Sequence, residues 1–210
     1  MKFNLKTLLL ITLLAVGFSF QNCSDDDVNC NCPAILGEFF DIQGLAVDNF
    51  KAGPNILGTL LTENETLQYE DYEGLQLQYQ VEYVATNCNE KKSWGFSLMN
   101  SALACSCVED GHRGAKDEKI EGITILTLND FDEDHLAGES INDLFAVTIV
   151  DDKNLNEYLL QDDIEIRYES LRLALNKAPV LNTELKVSVT LQLSSGEEYV
   201  AESLPINIVN

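Results

Sequence analysis

Residues 75–83 read LQLQYQVEY, apolar or aromatic at every odd position and polar at every even one. A period of two is that of a β-strand, whose successive side chains point to opposite faces. Alternation this strict gives one dry face and one wet face, so the dry face must close on a second apolar layer.

Similar runs recur along the 210 residues. Residues 39–47 alternate as a first strand, and Lys51, Ala52, Gly53, Pro54 and Asn55 form a turn. Residues 94–98 and 102–107 read as further extended pieces, followed by a polar, glycine-bearing loop over 110–114. Residues 120–128 form another strand whose pattern slips. Ile123 and Ile125 share one face and Leu126 and Leu128 the other, so either both faces are covered or a bulge near Ile125 and Leu126 resets the alternation. Residues 144–150 suit a buried strand, 154–160 a short helix with Leu155, Tyr158 and Leu159 on one side, and Ile164, Ile166 and Tyr168 alternate again. Residues 185–193 alternate, turn at 194–197, and return through Tyr199 toward Ile206 and Ile208 as a terminal β-hairpin. Short strands with turn signals between them and few helices predict an all-β fold. We expect an antiparallel β-sandwich, immunoglobulin-like or transthyretin-like, with one or two short helices.

The first 22 residues have a different logic. Lys2 and Lys6 precede an apolar run over 8–20 broken only by Thr12 and Ser19, which is the pattern of a signal peptide. The run is short for a hydrocarbon core of about 30 Å, which takes roughly 20 apolar residues. After it stand Gln21, Asn22 and Cys23, then Ser24 and three aspartates. This arrangement resembles a bacterial lipoprotein precursor, and the resemblance implies that Cys23 becomes the first residue and carries the lipid. Each buried CH₂ adds roughly 0.8 kcal/mol of membrane affinity, and stable anchoring takes more than one chain. The usual box has Leu three residues before the cysteine with small residues between, whereas here stand Phe20, Gln21 and Asn22. Looser boxes followed by Ser and Asp resemble those of Bacteroidota lipoproteins, in which the acidic run is similar to a surface-export signal. The other reading of Cys23 is a disulfide cysteine behind a conventional signal peptide. The expected organisation is a signal peptide over 1–22, an acidic tether over 23–33 and a single sandwich domain over 34–210.

Charge narrows the partners. The formal net charge is −22, and removing residues 1–22 takes away Lys2 and Lys6 but no acid, which makes it −24. Such a surface repels phosphate backbones and anionic headgroups, so nucleic acid is not an expected partner. The membrane is expected to be reached through the lipid, and any further partner is a protein or a glycan.

Of six cysteines, lipidation of Cys23 leaves five: Cys30, Cys32, Cys88, Cys105 and Cys107. Export places them in an oxidising compartment, and two bridges among five cysteines allow about fifteen connectivities. On an extended strand Cys105 and Cys107 point to the same face with Cα atoms near the bridging limit of about 7 Å, so they are expected to take separate partners. The candidates are Cys88 and either Cys32 or Cys30.

Few residues carry chemistry by pattern. Asp130, Asp132 and Asp134 place carboxylates at every second position, as calcium loops do, because a hard cation wants several converging oxygens. An EF-hand loop starting there would need Gly at 135 and Glu at 141, where His135 and Ile141 stand. The expectation is therefore no cofactor, with calcium at these aspartates as the one exception to check. His112 and His135 are the only histidines, which rules out a centre with three histidine ligands. No nucleophile-elbow, zinc-protease, phosphate-loop or dinucleotide motif occurs.

Ala104 to Cys107, the loop over 111–114, the strand over 120–128, the run AGESINDLF at 137–145 and the closing hairpin together resemble a family of uncharacterised Bacteroidota lipoproteins built on a domain of unknown function. The resemblance implies location and fold, and no active residues. The expected role is a binding or structural module of the envelope, at the outer membrane or cell surface. The alternative is an envelope enzyme acting on glycans, which a cleft lined by a carboxylate pair with exposed aromatics beside it would favour.

Overall fold

The structure, a computed structural model, describes residues 34–53, 58–85, 107–148 and 153–209. The signal peptide, Cys23, the tether, Cys30, Cys32, Cys88, Cys105 and the extended piece at 94–98 lie outside the described residues. By its contacts the chain divides into two units, Met1–Ala34 with Lys92–Val108 and Ile35–Lys91 with Glu109–Asn210. Among the described residues, all the strands and the helix belong to the second.

In chain order the strands are β1 (Phe39–Lys51), β2 (Thr59–Leu60), β3 (Thr66–Gln68), β4 (Tyr72–Val84), β5 (Lys119–Thr127), β6 (Phe145–Val147) and β7 (Lys153–Asn154). Then come helix α1 (Leu155–Leu159) and strands β8 (Ile164–Glu165), β9 (Ser170–Leu175), β10 (Glu184–Leu185), β11 (Val187–Leu193), β12 (Glu198–Glu202) and β13 (Ile206–Val209). Three sheets result, ordered β2-β1-β4-β9-β6-β7, β12-β11-β5-β8 and β10-β13-β3. All the pairings are antiparallel except β13 with β3. The fold is the expected antiparallel β-sandwich with short helical pieces.

Its core follows the period-two pattern. Leu75, Leu77 and Tyr79 of β4 turn inward with Leu171, Leu173 and Leu175 of β9, and meet Ile123 and Ile125 of β5 and Val187, Val189, Leu191 and Leu193 of β11 in one cluster. At roughly 25 cal/mol per Å² of apolar surface, this closure is the main stabilising term. Gly74 allows the long β4–β9 contact. Its φ is +135°, and a Cβ there would stand 1.9 Å from the Leu173 carbonyl oxygen.

Two expectations need correcting, and one of two alternatives is decided. The register of β5 against β11 is unbroken from Gly122 to Thr127 and jumps only between Gly122 and Ile120, so the bulge lies at Glu121 and not near Ile125, and the pattern slip at Leu126 is the alternative in which both faces are covered. Leu126 is half-buried because its outer face is covered, since it bridges to Ser140. The terminal hairpin closes only β11 and β12. After Leu204 and Pro205 the chain crosses to the third sheet, where β13 pairs with β10 and β3. Proline lacks the N–H that would extend the ladder.

The outer edge of β1 is covered by a loop. The N–H of Phe40 donates to Gly114 O (3.1 Å), and Lys116 N–H donates to Phe40 O (2.8 Å). Two residues on, Ile42 is held by side chains instead: its N–H donates to Glu118 Oε2 (3.2 Å) and its carbonyl accepts from the Tyr199 hydroxyl (2.7 Å). The segment 111–118 thus covers an edge that would otherwise be free to pair with another chain.

Candidate ligand cleft

The glycine-bearing loop that reads as polar and irregular forms one wall of a cleft. Arg113 N–H donates to Glu38 O (2.9 Å) and Ala115 N–H to Ile166 O (2.8 Å), so the loop is fastened between the start of β1 and the segment after β8. Gly114 makes this approach possible. Its φ is +89°, and a Cβ would lie 2.4 Å from the Ile166 carbonyl oxygen.

Beside this wall lies an inner cavity of about 360 Å³, lined by Tyr79, Ile120, Tyr158, Leu171, Ser170 and the segment 165–168. Its floor is set by three elements whose sequences dictate their faces. Tyr79 sits at a dry position of β4, Leu171 at a dry position of β9, and Tyr158 on the buried side of α1, whose first turn is capped by Asn154 accepting from Asn156 N–H (3.0 Å). Tyr79 is 3% exposed, and its hydroxyl is the one buried side-chain oxygen or nitrogen among the described residues without a hydrogen-bond partner. Burial pushes this phenol's pKa up, and the neighbouring Tyr158 adds to the shift. Leaving a buried hydroxyl unpaired costs about 1 to 3 kcal/mol, so such a group is an unusual thing to find under a cavity.

An outer groove of about 590 Å³ adjoins it and shares Glu165, Ile166, Arg167 and Tyr168 with the inner cavity. Tyr168 is 65% exposed on this shared wall. The alternation of Ile164, Ile166 and Tyr168 predicts an inward face for all three; the first two are buried, but β8 ends at Glu165 and the chain turns Tyr168 outward. Glu165 Oε2 accepts from Arg167 Nε (3.2 Å) and Nη2 (2.9 Å). Across the groove the Arg113 guanidinium stands 5.2 Å over the Phe39 ring and bonds Glu38 (3.0 Å).

Glu118 also lines the outer groove, and its residue is 7% exposed. Burial raises its carboxyl pKa most. The Ile42 N–H opposes the shift, while a hydrogen bond with Glu197 and the charge of Asp41 add to it, and the result is about 7. A carboxyl that is half protonated near neutral pH can both donate and accept.

The aspartates singled out by sequence lie elsewhere. Asp132 is 4% exposed, and its oxygens are taken by Lys177 Nζ (2.6 Å), His135 Nδ1 (2.7 Å) and the Asp134 N–H (3.0 Å). Asp130 accepts from Ala137 N–H (3.0 Å) instead of turning toward Asp132. An ammonium and an imidazole therefore stand where the calcium expectation put a cation, and no group of three or more potential ligands is placed to hold a metal among the described residues. Burial raises the Asp132 pKa, but Lys177 and then His135 outweigh it and hold it at about 2. Burial lowers His135, but its bond to Asp132 and the charge of Asp143, 3.2 Å from Nε2, leave it raised. This cluster locks the acidic loop under β5. His112 is exposed at the end of the outer groove, with Nδ1 2.9 Å from Glu109 O. Cys107 is disulfide-bonded, and the other five cysteines lie outside the described residues.

The sequence does not single out Tyr79, Tyr158, Tyr168 or Glu118 as site residues. One signal is present, a tyrosine instead of a phenylalanine at the centre of the driest strand face. Glu118 has none, because its burial arises from how the loop folds over β1. Among the described residues no helix is long and apolar enough to cross a membrane. In comparison with known proteins, no family model, no curated protein and no solved structure matches the chain.

Proposed function

We propose that the chain is a lipid-anchored binding module of the bacterial outer membrane, held through Cys23 and taking its ligand in the cleft over Tyr79. The observation that carries the binding part is the Tyr79 hydroxyl, buried without a partner beneath a cavity whose outer wall is polar and exposed. Ligand sites are concave, largely preformed and furnished with a few convergent polar groups. The anchor rests on the sequence, through the apolar run, Cys23 and the acidic stretch after it. A fragment library screened by ligand-observed NMR tests the site. Hits should compete with one another and be lost in Tyr79→Phe and Tyr168→Ala; hits indifferent to both substitutions contradict it.

A second reading, an envelope enzyme acting on glycans, is favoured by one observation. Glu118, its pKa raised to about 7 by burial, shares the outer groove with Glu165, and a pair of carboxyls is what glycoside hydrolysis uses. Turnover of an oligosaccharide that Glu118→Gln abolishes would favour this reading over simple binding.

A further inference from the structure

We infer that the cleft takes an uncharged, hydroxyl-rich ring, the chemistry of a pyranose, with the ring's apolar face on Tyr168 and its hydroxyls on the tyrosine floor. The inference rests on the proposed reading of the cleft as a ligand site and names what that site recognises.

Three hydroxyl-bearing residues, Tyr79, Tyr158 and Ser170, line the inner cavity, and the Tyr79 hydroxyl is buried there without a hydrogen-bond partner among the described residues. A hydroxyl both donates and accepts, so a set of them is best matched by a ligand that does both. The rim has the same character. Glu165 and Arg167 neutralise each other while offering an acceptor and donors side by side. An anionic ligand would be repelled by a chain of net charge −22. Along the outer groove Arg113, Lys119 and Arg167 stand against Asp117, Glu118 and Glu165, so the lining is mixed in sign and offers a cation no acidic excess. What remains is a neutral polar ligand. The exposed Tyr168 ring adds a flat apolar surface on the wall shared by the two cavities, and a sugar ring, with a C–H face and a hydroxyl edge, answers both features. Because the inner cavity continues past Tyr168 into the larger groove, the ligand extends beyond one ring.

The test is calorimetric titration of the full-length chain in detergent with cellotriose, maltotriose and triacetylchitotriose, and with choline and p-cresol as non-sugar probes. At least one trisaccharide should bind one to one. Tyr168→Ala should weaken it about tenfold, Tyr79→Phe by roughly threefold to tenfold, and Val200→Ala not at all. Trisaccharide binding that neither tyrosine substitution changes overturns the assignment to this cleft. If no trisaccharide binds while p-cresol or choline does, and Tyr79→Phe removes that binding, the site stands and the sugar is wrong. Silence from all five probes overturns both the sugar and the binding reading.

Discussion

The Tyr199 hydroxyl donates a 2.7 Å hydrogen bond to the Ile42 carbonyl and ties β12 of one sheet to β1 of another. The carbonyl faces away from β4 at a position where no strand covers the edge, so the phenol takes the place of a ladder partner. Tyr199→Phe should lower the free energy of unfolding in urea by about 1 kcal/mol with little change in the m-value. A loss near zero would mean that water replaces the phenol at this edge.

Two tyrosines of β4 make opposite predictions. The Tyr72 hydroxyl bonds Asn49 Oδ1 (2.8 Å), and Asn49 in turn donates to Leu204 O (2.8 Å). Tyr72→Phe strands the buried amide and should cost about 1 to 3 kcal/mol. Tyr79→Phe removes a hydroxyl that has no partner, and without ligand it should be neutral or stabilising by up to about 1 kcal/mol. Urea unfolding of both variants checks the pair, and equal losses would mean that the Tyr79 hydroxyl is satisfied within the protein.

Glu118 gives the fold a pH dependence of definite sign. Its folded pKa, about 7, lies above its ordinary 4.5, so the folded state binds the proton more tightly. The contribution is full below about pH 4.5 and is lost as pH rises through 7. Glu118→Gln keeps an acceptor for the Ile42 N–H and removes the ionisation. Its melting temperature should exceed that of the wild type at pH 8 and approach it at pH 4.5.

The cluster under the acidic loop works over another window. Asp132, held at about 2 against an ordinary 3.8, contributes above its ordinary value and loses this as pH falls toward 2. His135, raised above 6.5, contributes below that value and loses this as pH rises through its folded pKa. Both are in place near pH 5. Asp132→Asn should therefore cost roughly 1 to 3 kcal/mol there and less at pH 8. Millimolar calcium should leave the melting temperature of the wild type unchanged, since Lys177 and His135 already bond the Asp132 carboxylate; a rise would show that calcium binds there.

How legible each feature is in the sequence depends on how local it is. The face of β4 is legible because Leu75, Leu77 and Tyr79 alternate without interruption, and α1 because Leu155 and Tyr158 recur at helical spacing. β9 escapes notice although Leu171, Leu173 and Leu175 alternate over its six residues, because a short run beside Tyr168 gives little warning of a central strand. The bulge at Glu121 depends on the register chosen by β11, and the departure of β13 on where β3 lies. The cleft is the least legible part. Its wall is a loop held by backbone bonds to Glu38 and Ile166, and its carboxyl at Glu118 is buried only because that loop closes.

Metabolic labelling of cells with a palmitate analogue tests the anchor on which the proposed location of the binding module depends. Label is expected on the wild-type chain in the membrane fraction and none on Cys23→Ala. Equal labelling of the two would contradict the anchor.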